Sequence, residues 1–127
     1  MSLASVEAVR NSSIVTERKV EVIYISGPMT GYPNFNREAF TKAKIRLIGQ
    51  GKEVVSPVLL EQDDEGRTWK PLQKKYSYYL KISLSKMLSC NAIVMLPGWE
   101  QSKGAKVERY VAEALEYKVY EDIDKVK

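Results

Sequence analysis

A single glutamate occupies a position where its carboxylate could do chemistry. Glu108 falls on a predicted helix that begins at Lys103, and it stands one turn before the apolar side chains of that helix. Those side chains are Val111, Ala112 and Leu115. Because an unpaired buried charge is costly, a glutamate on this face has a partner or a task. Two interpretations therefore stay open: Glu108 acts in a site, or it reaches solvent or pairs with Lys81 or Lys103.

The segment before this helix predicts a strand, a tight loop and a helix N-terminus in succession. Residues 92–96 form an apolar run of the length of one buried strand, and Pro97 and Gly98 end it. Ser102 is placed to cap the helix that follows. This arrangement gathers backbone N–H groups and the positive end of a helix dipole at one point, which favours a phosphate or another anion.

The composition indicates one globular domain. The chain has 127 residues, of which 44% are hydrophobic, and this is enough for a core without disulfides or metals. The net charge of +4 slightly favours an anionic ligand, but the lysines are spread along the chain, so a solvated surface is the simpler interpretation. We expect no direct nucleic-acid contact, because the sequence shows no basic stripe with exposed aromatic residues.

Several residue types are missing or rare, and this limits the chemistry. The chain has no histidine, so acid and base catalysis falls to carboxylates, tyrosines or lysines. The single cysteine, Cys90, cannot form an internal disulfide or a zinc site. We interpret the acidic run Asp63, Asp64 and Glu65 as a solvated turn rather than a metal site. We therefore expect no metal and no cofactor.

The targeting signals are equally sparse. No apolar run approaches membrane-spanning length, and the N-terminus lacks a signal-peptide core. The sequence therefore predicts a cytoplasmic protein that makes no membrane contact.

Strand and helix patterns alternate along the chain. We interpret residues 1–18 as a flexible arm and 19–127 as one domain. Strands are predicted at 20–26, 53–56, 92–96 and 117–120, and helices at 36–49, at 71–89 and from 103 onward. This order predicts a Rossmann or flavodoxin-like α/β domain, with a parallel sheet of about four to five strands and helices on both faces. Ligands of such sheets bind at the carboxyl ends of the strands.

The first two predicted helices carry details that bear on the site. Asn34 or Asn36 is placed to cap the first helix. Its apolar residues are Phe40, Ala43, Ile45, Leu47 and Ile48. The inner side of the second helix is predicted to comprise Tyr76, Leu80, Leu84, Met87 and Leu88, with Ser83 among them.

Two motifs resemble a known protein family. The first runs from Tyr24 to Gly31 (YISGPMTG) and continues to Asn34 and Phe35, and the second is LPGWEQSKGA at 96–105, followed by Glu108. Together they resemble small phage and prophage proteins of a DUF4406-like family. That family in turn resembles the nucleoside 2-deoxyribosyltransferases and the deoxynucleoside 5′-monophosphate N-glycosidases. The resemblance covers residues 20–120.

The resemblance implies a nucleoside or nucleotide substrate and a role for each matching residue. Glu108 matches a glutamate that attacks the anomeric carbon and forms a glycosyl-enzyme, as in retaining glycosidases, and Tyr24 matches a tyrosine that positions it. A 5′-phosphate or 5′-hydroxyl would be held by Ser102, Gly104 and Ala105. Trp99 would line the base pocket, although a rim or core tryptophan is an equally good interpretation. The other predicted binding residues are Ser26, Gly27, Pro28, Met29, Asn34 and Gly98.

The chain also departs from these enzymes. Where they carry an aspartate that assists the leaving group or holds the sugar, this sequence has Ser83, and a second aspartate is replaced by Asn91. Neither side chain can act as the missing carboxylic acid. The candidates for a substitute acid are Glu100, Asp63, Asp64 and Tyr79.

The sequence therefore supports two functions. The first is an N-glycosidic bond hydrolase or 2-deoxyribosyltransferase-like enzyme with Glu108 as its nucleophile. The alternative is a catalytically inactive nucleotide-binding protein, a sensor or decoy, which Ser83 favours. Glu108 favours the enzyme, because a phosphate binder gains nothing from an anion beside its site. The related enzymes assemble as homodimers or larger homo-oligomers, so a partner subunit is expected and could supply the missing acid.

Overall fold

A computed structural model describes residues 20–57 and 76–127, with the side chain of Tyr76 excluded. Its strands are β1 (Val22–Ser26), β2 (Glu53–Val55), β3 (Ala92–Met95) and β4 (Lys118–Tyr120). Its α-helices are α1 (Arg37–Gly49), α2 (Tyr76–Met87) and α3 (Lys103–Ala114). The predicted strands and helices are present in the predicted order, with ends that differ by one or two residues. The predicted arm, the acidic run at 63–65 and the predicted helical residues 71–75 lie outside the described residues.

The four strands form one parallel sheet in the order β2-β1-β3-β4. The chain moves from β1 to one side to build β2, and then crosses to the other side of β1 to build β3. The carboxyl ends of β1 and β3 therefore flank the point where the strand order reverses. In open sheets of the flavodoxin-like kind, ligands bind in the crevice at this point. The predicted α/β fold is confirmed.

The alternation of side chains along β1 divides the core between the two faces of the sheet. Ile23 and Ile25 point to the face covered by α1, where Phe40 and Leu47 are buried. On the other face, under α2 and α3, lies a second core. Its buried members are Tyr24, Met87, Cys90, Ile93, Met95, Ala105 and Ala112. Glu108 is buried on α3, the helix that supplies Ala105 and Ala112 to this second core.

Four residues predicted to lie on inner faces are exposed, and those predictions were wrong. They are Ile45, Ile48, Leu88 and Leu115, with 65%, 54%, 61% and 46% of their surface exposed. On α1 only the narrow face of Phe40, Ala43 and Leu47 reaches the sheet, so the two isoleucines point elsewhere. Leu88 and Leu115 follow the last residues of α2 and α3, where the helical spacing no longer holds.

Within 20–57 and 76–127, no helix has both the length and the apolar character needed to cross a membrane.

Candidate active site

The Glu108 carboxylate is buried and held by two hydroxyl groups of strand β1. Only 5% of Glu108 is exposed. The Tyr24 hydroxyl donates to its Oε2 atom at 2.8 Å, and the Ser26 hydroxyl donates to Oε1 at 2.5 Å. Both oxygens are thus fixed by hydrogen bonds from neutral donors. The structure therefore places Glu108 inward and not in solvent. Its partners are the hydroxyl groups of Tyr24 and Ser26 instead of Lys81 or Lys103.

The local sequence explains why both donors reach the same carboxylate. Residues two apart on a strand point to the same face, so Tyr24 and Ser26 both face α3. Ala105 and Ala112, one turn on either side of Glu108, are small and buried, which lets the helix lie close to the strand. The Ser102 hydroxyl caps α3 by accepting from the Ala105 amide at 3.1 Å, and this starts the helix in the correct phase.

Ser83 extends this arrangement from a second helix. It is buried on α2, with 4% of its surface exposed. Burial raises the pKa of Tyr24, and hydrogen bonding with the Ser83 side chain acts in the opposite direction. Four side chains therefore form one connected group, which we call the hydroxyl–carboxylate chain. Its members in order are Ser83, Tyr24, Glu108 and Ser26.

Burial changes the acidity of both ends of the central hydrogen bond. Loss of hydration raises the pKa of Glu108 from 4.5 to about 7, while the hydrogen bonds from Ser26 and Tyr24 act in the opposite direction. The pKa of Tyr24 is raised well above its ordinary value, first by burial and then by the Glu108 charge and hydrogen bond. Near neutral pH, Glu108 thus exists in both protonation states, while Tyr24 keeps its proton.

The loop after β1 lies at the carboxyl edge of the sheet, but its side chains diverge. Gly27 and Pro28 are buried, and a Cβ atom on Gly27 would lie 2.8 Å from Cβ of Leu96. Met29 packs against the first core, on the α1 face. Ser26 has no exposed surface, so its hydroxyl serves Glu108. These placements leave the backbone of the loop, more than its side chains, at the edge of the sheet.

Three consecutive residues of this loop adopt left-handed backbone conformations. The φ angles of Asn34, Phe35 and Asn36 are 50°, 55° and 63°. Asparagine tolerates this region, whereas for Phe35 it costs roughly 1–2 kcal/mol. The Asn36 side chain donates from Nδ2 to the Pro28 carbonyl at 2.9 Å and closes the loop. Asn36 occupies the N-cap position of α1, one of the two positions predicted for the cap, but its side chain makes no capping bond.

The loops after β1 and β3 meet, as expected for neighbouring strands. Gly98 has a φ of 89°, and a Cβ atom placed on it would lie 2.7 Å from the Tyr32 hydroxyl oxygen and 3.2 Å from Cγ of Pro28. The Leu96 amide donates to the Ser26 carbonyl at 2.8 Å. Both predicted motifs therefore lie at one edge of the sheet.

The N-terminus of α3 is only partly available to an anion. The Ala105 amide is occupied by Ser102 Oγ, and the Lys106 amide by the Ser102 carbonyl. In any α-helix the earliest amides have no acceptor within the helix, and that of Gly104 is one of these. Ser102 and Ala105 thus shape the start of the helix, and the Gly104 amide is suited to a phosphate oxygen.

An arginine lies over the ring of Trp99. Trp99 is half-buried and packs against the second core, and the Arg109 guanidinium carbon lies 4.6 Å from its ring centroid. Arg109 donates from Nη1 and Nη2 to the two carboxylate oxygens of Glu121 at 2.6 and 2.5 Å, and from Nε to Glu113 at 2.8 Å. This favours the interpretation of Trp99 as a rim tryptophan.

Residues 21–121 match a protein family described as a domain of unknown function, DUF4406. The chain belongs to this family. The matched segment contains all four residues of the hydroxyl–carboxylate chain as well as both loops. No curated protein and no solved structure shows a significant match to the chain.

In this DUF4406 domain, Asn91 lies far along the strands from the Glu108 group. Its side-chain oxygen accepts from the Val22 backbone N–H at 2.8 Å, and its backbone N–H donates to the Val22 carbonyl at 3.0 Å. These contacts join the amino ends of β1 and β3, whereas Ser26 is at the carboxyl end. Asn91 therefore joins two strands of the sheet. It lies away from Glu108, so the replacement of an aspartate by Asn91 does not bear on acid catalysis at Glu108.

The candidate substitute acids are dispersed in the DUF4406 domain. Glu100 is exposed on the short 3₁₀ turn Trp99–Gln101. Tyr79 packs edge-to-face against Tyr78 on α2, with ring centroids 5.4 Å apart. Asp63 and Asp64 lie outside the described residues.

Two features of the site were not recognised from the sequence. Ser26 was expected to contact substrate, but it binds Glu108. Ser26 is two residues after Tyr24 in the same strand, and this spacing indicated that both side chains lie on one face of the sheet. Arg109 was not singled out at all. Its spacing of four residues from Glu113 indicated a pair on the helix surface, but the contacts with Trp99 and Glu121 depend on the tertiary fold.

Proposed function

We propose that this DUF4406 protein cleaves or exchanges the N-glycosidic bond of a nucleoside or nucleotide, with Glu108 as the nucleophile. The observation that carries the proposal is the buried Glu108 carboxylate held by Tyr24 and Ser26 where the strand order reverses. The reaction would be that of a hydrolase or a 2-deoxyribosyltransferase.

The chemistry follows the double-displacement scheme of retaining glycosidases. One Glu108 oxygen attacks C1′ of the sugar, the C1′–N bond breaks with its electron pair leaving on the base, and a glycosyl ester forms. Water or a second base then attacks C1′, and the ester electrons return to Glu108. Tyr24 and Ser26 hold the carboxylate in place, so less orientational freedom is lost in reaching the transition state.

The burial of Glu108 suits a nucleophile in two respects. A poorly hydrated carboxylate is more basic, which its pKa of about 7 expresses, and it sheds fewer water molecules before it attacks. Only the ionised form attacks, so activity should rise with pH through the pKa of Glu108. Removing the charge while keeping the shape, as in Glu108→Gln, would abolish this step.

The edge of the sheet also offers groups for the rest of a nucleotide. The Gly104 amide at the start of α3 supports a place for the 5′-phosphate. The Tyr32 hydroxyl lies close to Gly98, which connects the loops after β1 and β3. Tyr32 and Phe35 are 42% and 40% exposed, so this edge presents aromatic surface on which a base can stack.

The second candidate is a nucleotide-binding protein that has no catalytic activity. The observation in its favour is Ser83, which provides a neutral hydroxyl next to Tyr24 where the resembling enzymes carry an aspartate. Such a protein would keep the loops and the α3 terminus and bind nucleotides as a sensor or decoy. For it, Glu108 would be a structural residue of the second core.

Turnover separates the two candidates. The purified chain is incubated with a panel of nucleosides, deoxynucleosides and their 5′-monophosphates, and free base is measured by chromatography. Glu108→Gln is the test variant, and Glu38→Gln, an exposed glutamate on α1, is the matched control. Base release that persists in Glu38→Gln and is lost in Glu108→Gln supports the enzyme. No base release, together with nucleotides that raise Tm, supports the binding protein.

We also propose a cytoplasmic location and a homodimeric or larger assembly. Tyr110 on α3 and Leu115 directly after it leave 74% and 46% of their surface exposed, and a partner subunit that covered them would remove this apolar surface from water. Light scattering coupled to size-exclusion chromatography measures the assembly directly, and a monomeric mass would contradict it.

A further inference from the structure

The proton donors around Glu108 are all hydroxyl groups. Tyr24 and Ser26 bind its two oxygens, and Ser83 binds Tyr24. Among the residues that the structure describes, Glu108 is the one buried carboxyl group. The hydroxyl–carboxylate chain thus contains a nucleophile and the groups that position it, without a second carboxyl group to protonate a leaving base.

None of these hydroxyls is suited to that task. A serine hydroxyl is a very weak acid, and the Tyr24 proton is directed at Glu108 and held more tightly than in a free tyrosine. Glu108 itself cannot serve, because in its protonated form it is no longer the nucleophile. Within this described group, no side chain can therefore donate a proton to the leaving base.

We propose that the preferred substrates of this site are N-glycosides whose base carries a fixed positive charge, such as pyridinium nucleotides. This inference rests on the proposed function. When Glu108 attacks C1′ of a pyridinium nucleotide, the electron pair of the C1′–N bond neutralises the ring nitrogen, and the pyridine leaves as a neutral molecule. Water then displaces Glu108 from C1′ and releases one proton to the solvent. An ordinary purine or pyrimidine would leave as an anion, which is a much poorer leaving group without a proton donor.

The electrostatics of the site agree with a cationic base. A positive ring near Glu108 favours the ionised carboxylate, because an opposite charge stabilises the charged form. Binding such a substrate would therefore convert the protonated fraction of Glu108 into the nucleophile. The exposed rings of Tyr32 and Phe35 at the same edge are also suited to a cationic ring, through cation–π contact.

The test compares substrates that differ only in the charge of the base. Nicotinamide mononucleotide and its reduced 1,4-dihydro form share the sugar and the phosphate, and only the oxidised form has a cationic ring. Deoxyadenosine 5′-monophosphate and adenosine 5′-monophosphate serve as neutral comparators with both sugars. Release of each base by the wild-type chain, Glu108→Gln and Glu38→Gln is measured by chromatography from pH 5 to pH 10.

We expect release of nicotinamide from the oxidised nucleotide to exceed release of every neutral base by about 100-fold or more, the usual contribution of a general acid. Its rate should rise through the ionisation of Glu108 and then stay level, and Glu108→Gln should lack it. Neutral bases released as fast as nicotinamide, or a rate that falls again at high pH, would overturn the inference and leave the proposed function standing. Release of no base from any substrate would overturn the proposed function itself, and the inference with it.

Discussion

The Ser26 hydroxyl donates to Oε1 of Glu108 at 2.5 Å, joining two residues that are 82 positions apart in the sequence. This bond and the bond from Tyr24 stabilise the ionised form of a carboxyl group that burial would otherwise keep protonated. The balance between desolvation and hydrogen bonding thus sets the protonation of Glu108 near neutral pH.

Replacing Ser26 by alanine should shift this balance. Ser26→Ala removes a donor to the charged form, so we expect the pKa of Glu108 to rise above its value of about 7. Carbon-13 NMR titration of glutamate carboxyl groups measures this whether or not the protein is active. Ser85→Ala is the control, because Ser85 is exposed on α2 and bonds the Ile82 carbonyl. An unchanged pKa of Glu108 in Ser26→Ala would contradict the role of this bond.

The raised pKa of Glu108 also makes folding stability depend on pH. Its folded pKa is about 7 and its ordinary value is 4.5. Between these values the folded chain holds a proton that the unfolded chain has lost, so the free energy of unfolding should fall as pH rises through this interval. The size of the effect is about 3 kcal/mol, from about 1.4 kcal/mol for each pKa unit.

Glu108→Gln should remove this pH dependence. The amide carries no charge at any pH and can still bond Tyr24 and Ser26, so the variant is expected to match the wild type near pH 4.5 and to exceed its stability at pH 8. Urea denaturation at both pH values measures the difference, with Glu38→Gln as the exposed control. A wild-type stability that did not fall over this pH range would be inconsistent with a buried carboxyl of raised pKa.

Gly98, in the loop after β3, should be less replaceable than Gly51. Gly98→Ala places a methyl group within 2.7 Å of the Tyr32 hydroxyl on a backbone with φ of 89°. Gly51 is the matched control, because its φ is 83° and its Cβ position meets no atom within 4 Å. Both substitutions carry the left-handed backbone cost of roughly 1–2 kcal/mol, and only Gly98→Ala should add a steric cost. Equal losses of Tm in the two variants would show that the contact between the two loops is unimportant.

Arg109 should control the environment of Trp99. Arg109→Lys keeps the charge but loses the planar group that stacks on the indole and bonds both Glu121 oxygens. We expect Trp99 fluorescence to change and urea stability to fall by about 1 kcal/mol. A Trp69→Phe background isolates the Trp99 signal, and Lys42→Arg on α1 is the control substitution. An unaltered emission spectrum would argue against the stacking.

Much of the fold could be predicted from the sequence, for identifiable reasons. Short apolar runs such as 92–96 are too short for core helices, and Ser102 capped α3 as expected. The inward position of Glu108 followed from helical spacing, and the βα alternation with right-handed crossovers predicted the parallel sheet. These features depend on neighbours that are close in sequence.

The failures concern contacts that depend on tertiary packing. Ile45 and Ile48 have the right composition for a core, but α1 rests on the sheet along a narrower face than its apolar residues suggest. Asn36 has the right side chain for a cap, but its left-handed backbone turns that side chain toward Pro28. That Ser26 binds Glu108 depends on how closely α3 approaches β1, which spacing along the chain does not show.

The position of β1 between β2 and β3 has a consequence for how the protein can move. A strand paired on both sides exposes its amides to hydrogen exchange only when the whole domain unfolds, whereas loops and helix ends open locally at lower cost. We therefore expect slow exchange in β1, which carries Tyr24 and Ser26, and equally in β3, the other strand that is paired on both sides. Motions that admit a ligand therefore fall to the loops at the carboxyl edge of the sheet, while Tyr24, Ser26 and the Glu108 carboxylate that they hold stay in place.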